Sequence, residues 1–164
     1  MRYFITFACY GAHLRGDESG SVDSRHNLFG GRLLEADPQR GEAERRSMSQ
    51  PPYELDGHSR AVVLEALQKV CWHRGWNMLA AHVRSNHAHV IVEAELPPEK
   101  VMNDFKAYAT RALNQLGQDE PGRRRWARHG STRWLWKDHD VLEAIRYVVE
   151  EQGTPMAVFL GDVL

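Results

Sequence analysis

His87 and His89 flank a single alanine at the head of the apolar run Val90-Ile91-Val92. In a β-strand, side chains two apart share a face, so both imidazoles project the same way and can grip one metal ion. Tyr147 follows His89 by 58 positions, in the stretch Tyr147-Val148-Val149-Glu150-Glu151. If that stretch is helical, Tyr147 and Glu151 lie one turn apart and present a phenol and a carboxylate together. Two histidines, a carboxylate and a tyrosine compose a site for cleaving phosphodiesters. Tyr108 is the rival nucleophile, but it falls at the edge of an apolar stripe beside Phe105, and its i+4 neighbour Ala112 ligates nothing. His82 reads as a structural histidine, and His13, His26, His58, His73, His129 and His139 have no spacing that argues for chemistry.

The elements that must position these groups follow from pattern and punctuation. Residues 3–9 are aromatic and β-branched and read as a first strand. Asp56 caps a helix over 57–74, with Val63, Leu67, Val70 and Cys71 at helical spacing and Gly75 beyond its end. Residues 77–83 and 87–93 read as a hairpin around Arg84-Ser85-Asn86. Pro97-Pro98 opens a second helix whose stripe is Val101, Phe105, Ala109, Ala112 and Leu116, closed by Gly117. A short strand around 133–136 follows. Then Asp140 to Glu143 resembles a capping box that opens a third helix, which Gly153 and Pro155 close. The core stripe of that helix is Val141, Leu142, Ile145, Val148 and Val149, which leaves Tyr147 and Glu151 off it.

The order β-α-β-β-α-β-α predicts an α+β fold. It is a ferredoxin-like split βαβ antiparallel sheet with helices on one face and an additional C-terminal helix carrying the tyrosine. On the third strand Ala88, Val90 and Val92 face the helices, so His87, His89 and Ile91 face the open side.

A chain of 164 residues buries roughly 70% of its unfolded surface and forms one domain, 1–164. Its stretch 16–52 has little periodicity and reads as a long, mobile excursion. With 21 Lys plus Arg against 22 Asp plus Glu, the net charge of −1 gives no global signal for nucleic acid, so any such signal must be local. It is found between 123 and 137. There Arg123, Arg124, Arg125, Trp126, Arg128, Arg133 and Lys137 alternate cations with aromatic planes, as a single-strand binding surface does, while Trp134 and Trp136 serve equally well as core plugs. Cys9 and Cys71 show no metal or disulfide spacing and read as small buried hydrophobes. No signal peptide and no run of about 18 apolar residues appears, so the expectation is a cytoplasmic protein with no membrane span.

The segments Ser85-Asn86-His87-Ala88-His89-Val90-Ile91-Val92 and Ile145-Arg146-Tyr147-Val148-Val149-Glu150-Glu151-Gln152-Gly153 resemble those of a known family. They are similar to the Asn-His-x-His strand and the tyrosine helix of the HUH single-tyrosine endonucleases, the IS200/IS605-type transposases and the REP-associated tyrosine transposases. The segment ending Leu135-Trp136 is similar to the strand before that helix. The resemblance runs over most of 3–153 and leaves 16–52 uncovered. It implies that Tyr147 attacks the phosphate of single-stranded DNA carrying a hairpin, leaving a covalent 5′-phosphotyrosine and a free 3′-hydroxyl for strand transfer. It further implies a divalent cofactor, Mg²⁺ or Mn²⁺, and a homodimer in which the tyrosine helix can serve the partner's histidines. The family carries an amide four residues after the tyrosine, where this chain has Glu151. The expected ligands are therefore His87, His89 and Glu151, a hard donor for such ions, with Gln152 second because an ideal helix turns it a further 100°.

Two other readings stand beside this one. The first is a domesticated DNA-binding module that cleaves nothing, and the second is a metal-dependent phosphoesterase that uses water as its nucleophile.

Overall fold

The computed structural model describes residues 1–12 and 48–162. Most of the 16–52 excursion, with His13 and His26, lies outside the described residues. Alternation of large apolar side chains makes β1 (Arg2–Cys9) a strand buried on both faces: Tyr3, Ile5 and Phe7 point one way and Phe4 the other. Helix α1 (Gly57–Arg74) starts where the Asp56 carboxylate accepts the Ser59 N–H at 2.8 Å. It ends at Gly75, whose φ of 72° lets the Trp76 N–H return to the Cys71 carbonyl at 2.9 Å. Strands β2 (Asn77–Val83) and β3 (His87–Glu93) follow as the expected hairpin, then α2 (Pro98–Leu116), β4 (Trp126–Trp134), α3 (Asp138–Glu150) and β5 (Ala157–Leu160).

The sheet order is β4-β1-β3-β2-β5, and every pairing is antiparallel. The first four strands with α1 and α2 are the split βαβ arrangement, α+β as the order of elements predicts. Helices α1 and α2 cover one face, packing Val63, Leu67, Val70, Val101, Phe105 and Ala109 against Tyr3, Ile5, Phe7, Ala88, Val90 and Val92. Helix α3 lies on the opposite face, where Val141, Ala144, Ile145 and Val148 meet Phe4, Leu79, Ala80, Ile91 and Leu135. That face is therefore not open, and His89, expected to be uncovered, is buried.

Three boundaries differ from the sequence reading. Strand β4 spans nine residues instead of a few, because charged side chains and Gly130 disguise an edge strand. At Gly130 a Cβ would come within 2.6 Å of the Thr6 carbonyl oxygen, so glycine is required by close backbone approach. Helix α3 begins at Asp138, its N-cap Lys137 makes no side-chain cap bond, and the capping box at Asp140 does not form. Its start is tied instead to β1: Arg2 reaches Asp138 Oδ1 at 2.6 Å and the Trp136 carbonyl at 3.2 Å. Asp138 and Asp140 in the first turn also suit the positive helix end. Strand β5, of four residues, carries too little pattern to be marked in the sequence. It closes the sheet beside β2, with Val158 opposite His82.

Cys9 and Cys71 are buried free thiols, and burial pushes both up to about 12. Among the described residues no helix is long and apolar enough to cross a membrane.

Candidate metal and tyrosine site

Because β3 alternates, His87 and His89 emerge together on the α3 side of the sheet, their ring centroids 4.7 Å apart. Each is held at Nδ1. The His87 Nδ1–H donates to Asn86 Oδ1 at 2.7 Å, which puts the ring's lone pair on Nε2. His89 Nδ1 lies 2.7 Å from the Thr6 hydroxyl, presented by β1 directly across the ladder. A hydroxyl donates or accepts, so Thr6 serves either tautomer of His89.

The tyrosine comes from α3. The Tyr147 ring, half-buried, lies 5.9 Å from His89 and 6.0 Å from Phe4, centroid to centroid. Tyr147 and both histidines are thus brought together within one chain. Tyr108 is on α2, across the sheet, under Arg111 at 4.5 Å, and shares no face with the histidines.

Gln152 and Glu151 exchange the places expected of them. Helix α3 stops at Glu150, and Glu151 already has φ −112° and ψ 20°. An ideal-helix extrapolation therefore fails at the residue where it was applied. Glu151 turns outward, exposed, with Oε1 3.6 Å from Arg146 Nε. Gln152 turns inward and presents Oε1 to His89 Nε2 at 3.1 Å while its Nε2 donates to the Tyr147 carbonyl at 3.3 Å. Only an amide performs both tasks, because a carboxylate has no proton to give that carbonyl. Among the described residues no three His, Cys, Asp or Glu side chains form a metal-binding group, so His87, His89 and Glu151 are not assembled as a ligand set. Two imidazoles and an amide oxygen do fit a divalent ion. Ligands at about 2.1 Å and right angles lie about 3 Å apart along an octahedral edge, the separation of Gln152 Oε1 from His89 Nε2.

His82 lies beside this group, directly opposite His89 in the β2–β3 register. It is fully buried, with Nδ1–H donating to the Val148 carbonyl at 2.9 Å and Nε2 accepting the Met156 N–H at 3.0 Å and approached by Arg84 Nη1 at 3.3 Å. Burial holds its pKa below the ordinary histidine value, which favours the neutral ring these contacts require.

The basic and aromatic segment divides in two. In its first half, Arg125 is buried against Asp119 at 3.0 Å and Asn114 at 2.7 Å. Arg123 is committed to Gln50 and the Pro51 carbonyl and lies over Tyr53. The Trp126 indole N–H donates to Thr110 at 2.9 Å while its ring packs edge-on against Phe7. Arg125 and Trp126 are thus structural, because the strand they open lies against α2. Arg124 and Arg128 remain exposed. In the second half, Arg133 pairs with Phe4 in the ladder and so belongs to the histidine face. Lys137 is exposed at the start of α3. Trp134 and Trp136 do not plug the core. They are 39% and 67% exposed and stack with centroids 5.0 Å apart and planes 12° from parallel. The sequence left their placement open, and only their period-2 spacing hinted at a shared face.

An antiparallel sheet with paired imidazoles on one strand and a tyrosine on the helix packed over it is the frame of this chain, and residues 53–147 match the model of the family described as transposase IS200 like. The chain belongs to that family. The match takes in His87 and His89 and ends on Tyr147. The fold is similar to the solved structure of a REP-associated tyrosine transposase bound to a REP hairpin, at 13% identity and a TM-score of 0.50. The similarity covers 92% of this chain and 65% of that one, so this chain spans about two thirds of that relative's length. Comparison with curated proteins gave no match.

Proposed function

We propose that this protein is a metal-dependent single-strand DNA transposase that nicks and rejoins DNA through Tyr147. The observation that carries the reading is the convergence, in one chain, of Tyr147, His89 and a Gln152 side chain that touches both. His87, His89 and Gln152 would hold the divalent ion, Mg²⁺ or Mn²⁺, with Gln152 in the place first expected of Glu151. When bound, such an ion supplies Lewis acidity to the scissile phosphate. Tyr147 Oη bonds to phosphorus as the P–O3′ bond breaks. The phenolic proton is released, the departing 3′ oxygen gains one, and the bond energy is kept in a 5′-phosphotyrosine for transfer to a second strand.

Asn86 and Thr6 hold the imidazoles in orientation, the usual work of residues behind a metal site. Arg133, on the same face, with Arg124, Arg128 and Lys137, would bind backbone phosphates, and the exposed Trp134–Trp136 stack would receive bases. The DNA partner is single-stranded with a hairpin, met in the cytoplasm. A homodimer would not need to share tyrosines, since one chain completes the set.

The test is incubation of the protein with labelled single-stranded hairpin DNA from the sequence flanking its own coding region and Mn²⁺, followed by a denaturing gel. Label on the wild-type protein, absent from Tyr147→Phe and His87→Ala, supports the reading. Cleavage without an adduct replaces it with a phosphoesterase that uses water. Binding with neither adduct nor cleavage replaces it with the domesticated module.

A further inference from the structure

We propose that His82 is a positioning residue that clamps the end of α3 and the loop after it, and so holds Tyr147 and Gln152 against His89. This inference rests on the function proposed above.

A side chain at position 82 serving only to fill space would be aliphatic, as Leu79, Ala80, Ala81 and Val83 around it on β2 are. Burying an imidazole there is unfavourable unless both nitrogens are bonded. Both are, and their backbone partners lie in the segment that delivers the site. The Val148 carbonyl, immediately after Tyr147, accepts from Nδ1, and the Met156 N–H, four residues beyond Gln152, donates to Nε2. Arg84, two residues along the same hairpin, approaches Nε2 and ties down the Thr154 carbonyl at 2.9 Å.

The clamp also accounts for the early end of the helix. Val148 is among the last residues of α3, whose carbonyls have no partner further along the helix. With His82 capping that carbonyl from the sheet, the chain leaves the helical path at Glu151, and Gln152 turns inward between His89 and the Tyr147 carbonyl. The β2–β3 register sets His82 opposite His89, so adjacent imidazoles on one face take different duties. His89 faces the amide, and His82 locks the backbone that carries it. Without the clamp the end of α3 frays, and misplacement of a reacting group by about 1 Å costs on the order of 100-fold in rate.

The test compares the whole chain with His82→Leu, His82→Asn, Arg84→Ala and, as a packing control in the other core, Leu67→Ala. Four quantities are measured below every melting temperature: amide hydrogen exchange over 151–156, Mn²⁺ affinity without DNA, the rate of adduct formation at saturating hairpin DNA, and hairpin affinity without metal. His82→Leu is expected to speed exchange in that segment, weaken Mn²⁺ about tenfold and slow the adduct roughly 100-fold, with hairpin affinity unchanged. His82→Asn keeps a side-chain N–H for the Val148 carbonyl and recovers part of each loss. Leu67→Ala lowers the melting temperature without moving exchange in 151–156 or Mn²⁺ affinity. A folded His82→Leu with wild-type exchange and Mn²⁺ affinity overturns the proposal. Should His82→Leu not fold, Arg84→Ala decides: faster exchange over 151–156 supports the clamp, and unchanged exchange overturns it. If the wild-type protein forms no adduct, the proposed function fails, while exchange and Mn²⁺ affinity still decide the clamp.

Discussion

The two faces of the sheet are covered by unequal means. On one, α1 and α2, of 18 and 19 residues, span about 28 Å each and seal a core made of aliphatic and aromatic side chains. On the other, α3 has 13 residues and reaches only about 20 Å. It seals the middle of the sheet with Val141, Ala144, Ile145 and Val148 and leaves the His87 end of β3 to the loop that follows. Thr6, His82, His89 and Tyr147 gather where the helical cover ends. Incomplete cover is thus what makes room for polar chemistry on a sheet whose three inner strands, β1, β2 and β3, are otherwise mostly buried.

Removing the phenol tests that contrast most severely. Tyr147→Phe is expected to abolish the covalent adduct, whereas Tyr108→Phe, on the sealed face, retains it, as gel detection of protein-bound label would show. If Tyr108→Phe also lost the adduct, the division of labour between the faces would be wrong. A smaller effect separates the two residues after α3. Gln152→Ala is expected to weaken Mn²⁺ binding 10- to 100-fold, in the range for losing a ligand or its close support, with Glu151→Ala within about twofold of wild type, since an exposed ion pair contributes little. Titration calorimetry without DNA measures both.

The basic and aromatic segment offers the same contrast within a dozen residues of chain. Trp136→Ala should weaken single-stranded DNA binding by about 1–3 kcal/mol, the usual worth of one stacked base, with the melting temperature unchanged. Trp126→Ala should do the reverse, because its indole packs on Phe7 and bonds Thr110. Fluorescence anisotropy and thermal melting distinguish them. The smallest effect belongs to the sealed face itself. Cys9 and Cys71, with thiols pushed up to about 12, remain protonated at pH 8 and should resist alkylation in the folded protein. Both are expected to react once denaturant unfolds the chain, as mass spectrometry would record.

Much of this architecture is legible in the chain. The strands at Asn77–Val83 and His87–Glu93 and the helix at Gly57–Arg74 begin and end at the residues that pattern and capping indicate. Alternation on β3 correctly puts Ala88, Val90 and Val92 on the face under α1 and α2 and Ile91 on the opposite one, but that second face, read as open, is covered by α3. Strand β4 is obscured because an edge strand need not alternate cleanly, and the capping box that Asp140 and Glu143 suggest does not form because the helix already begins at Asp138. Leu142, read as part of the core stripe, is 53% exposed, since α3 meets the sheet through the narrower arc of Val141, Ala144, Ile145 and Val148.

Local pattern by itself determined the strand that pairs His87 with His89, the helix that bears Tyr147, and the order of elements that makes a split βαβ sheet, because all three depend on periodicities of two and 3.6 residues. Tertiary structure alone decided which side chain meets His89, which cations are consumed in holding the fold, and which tryptophans stay outside. Those choices depend on where a helix ends and what lies across the sheet from it. His82 and Gln152 are 70 positions apart in the chain, and their joint work exists only once β2, β3 and α3 have packed.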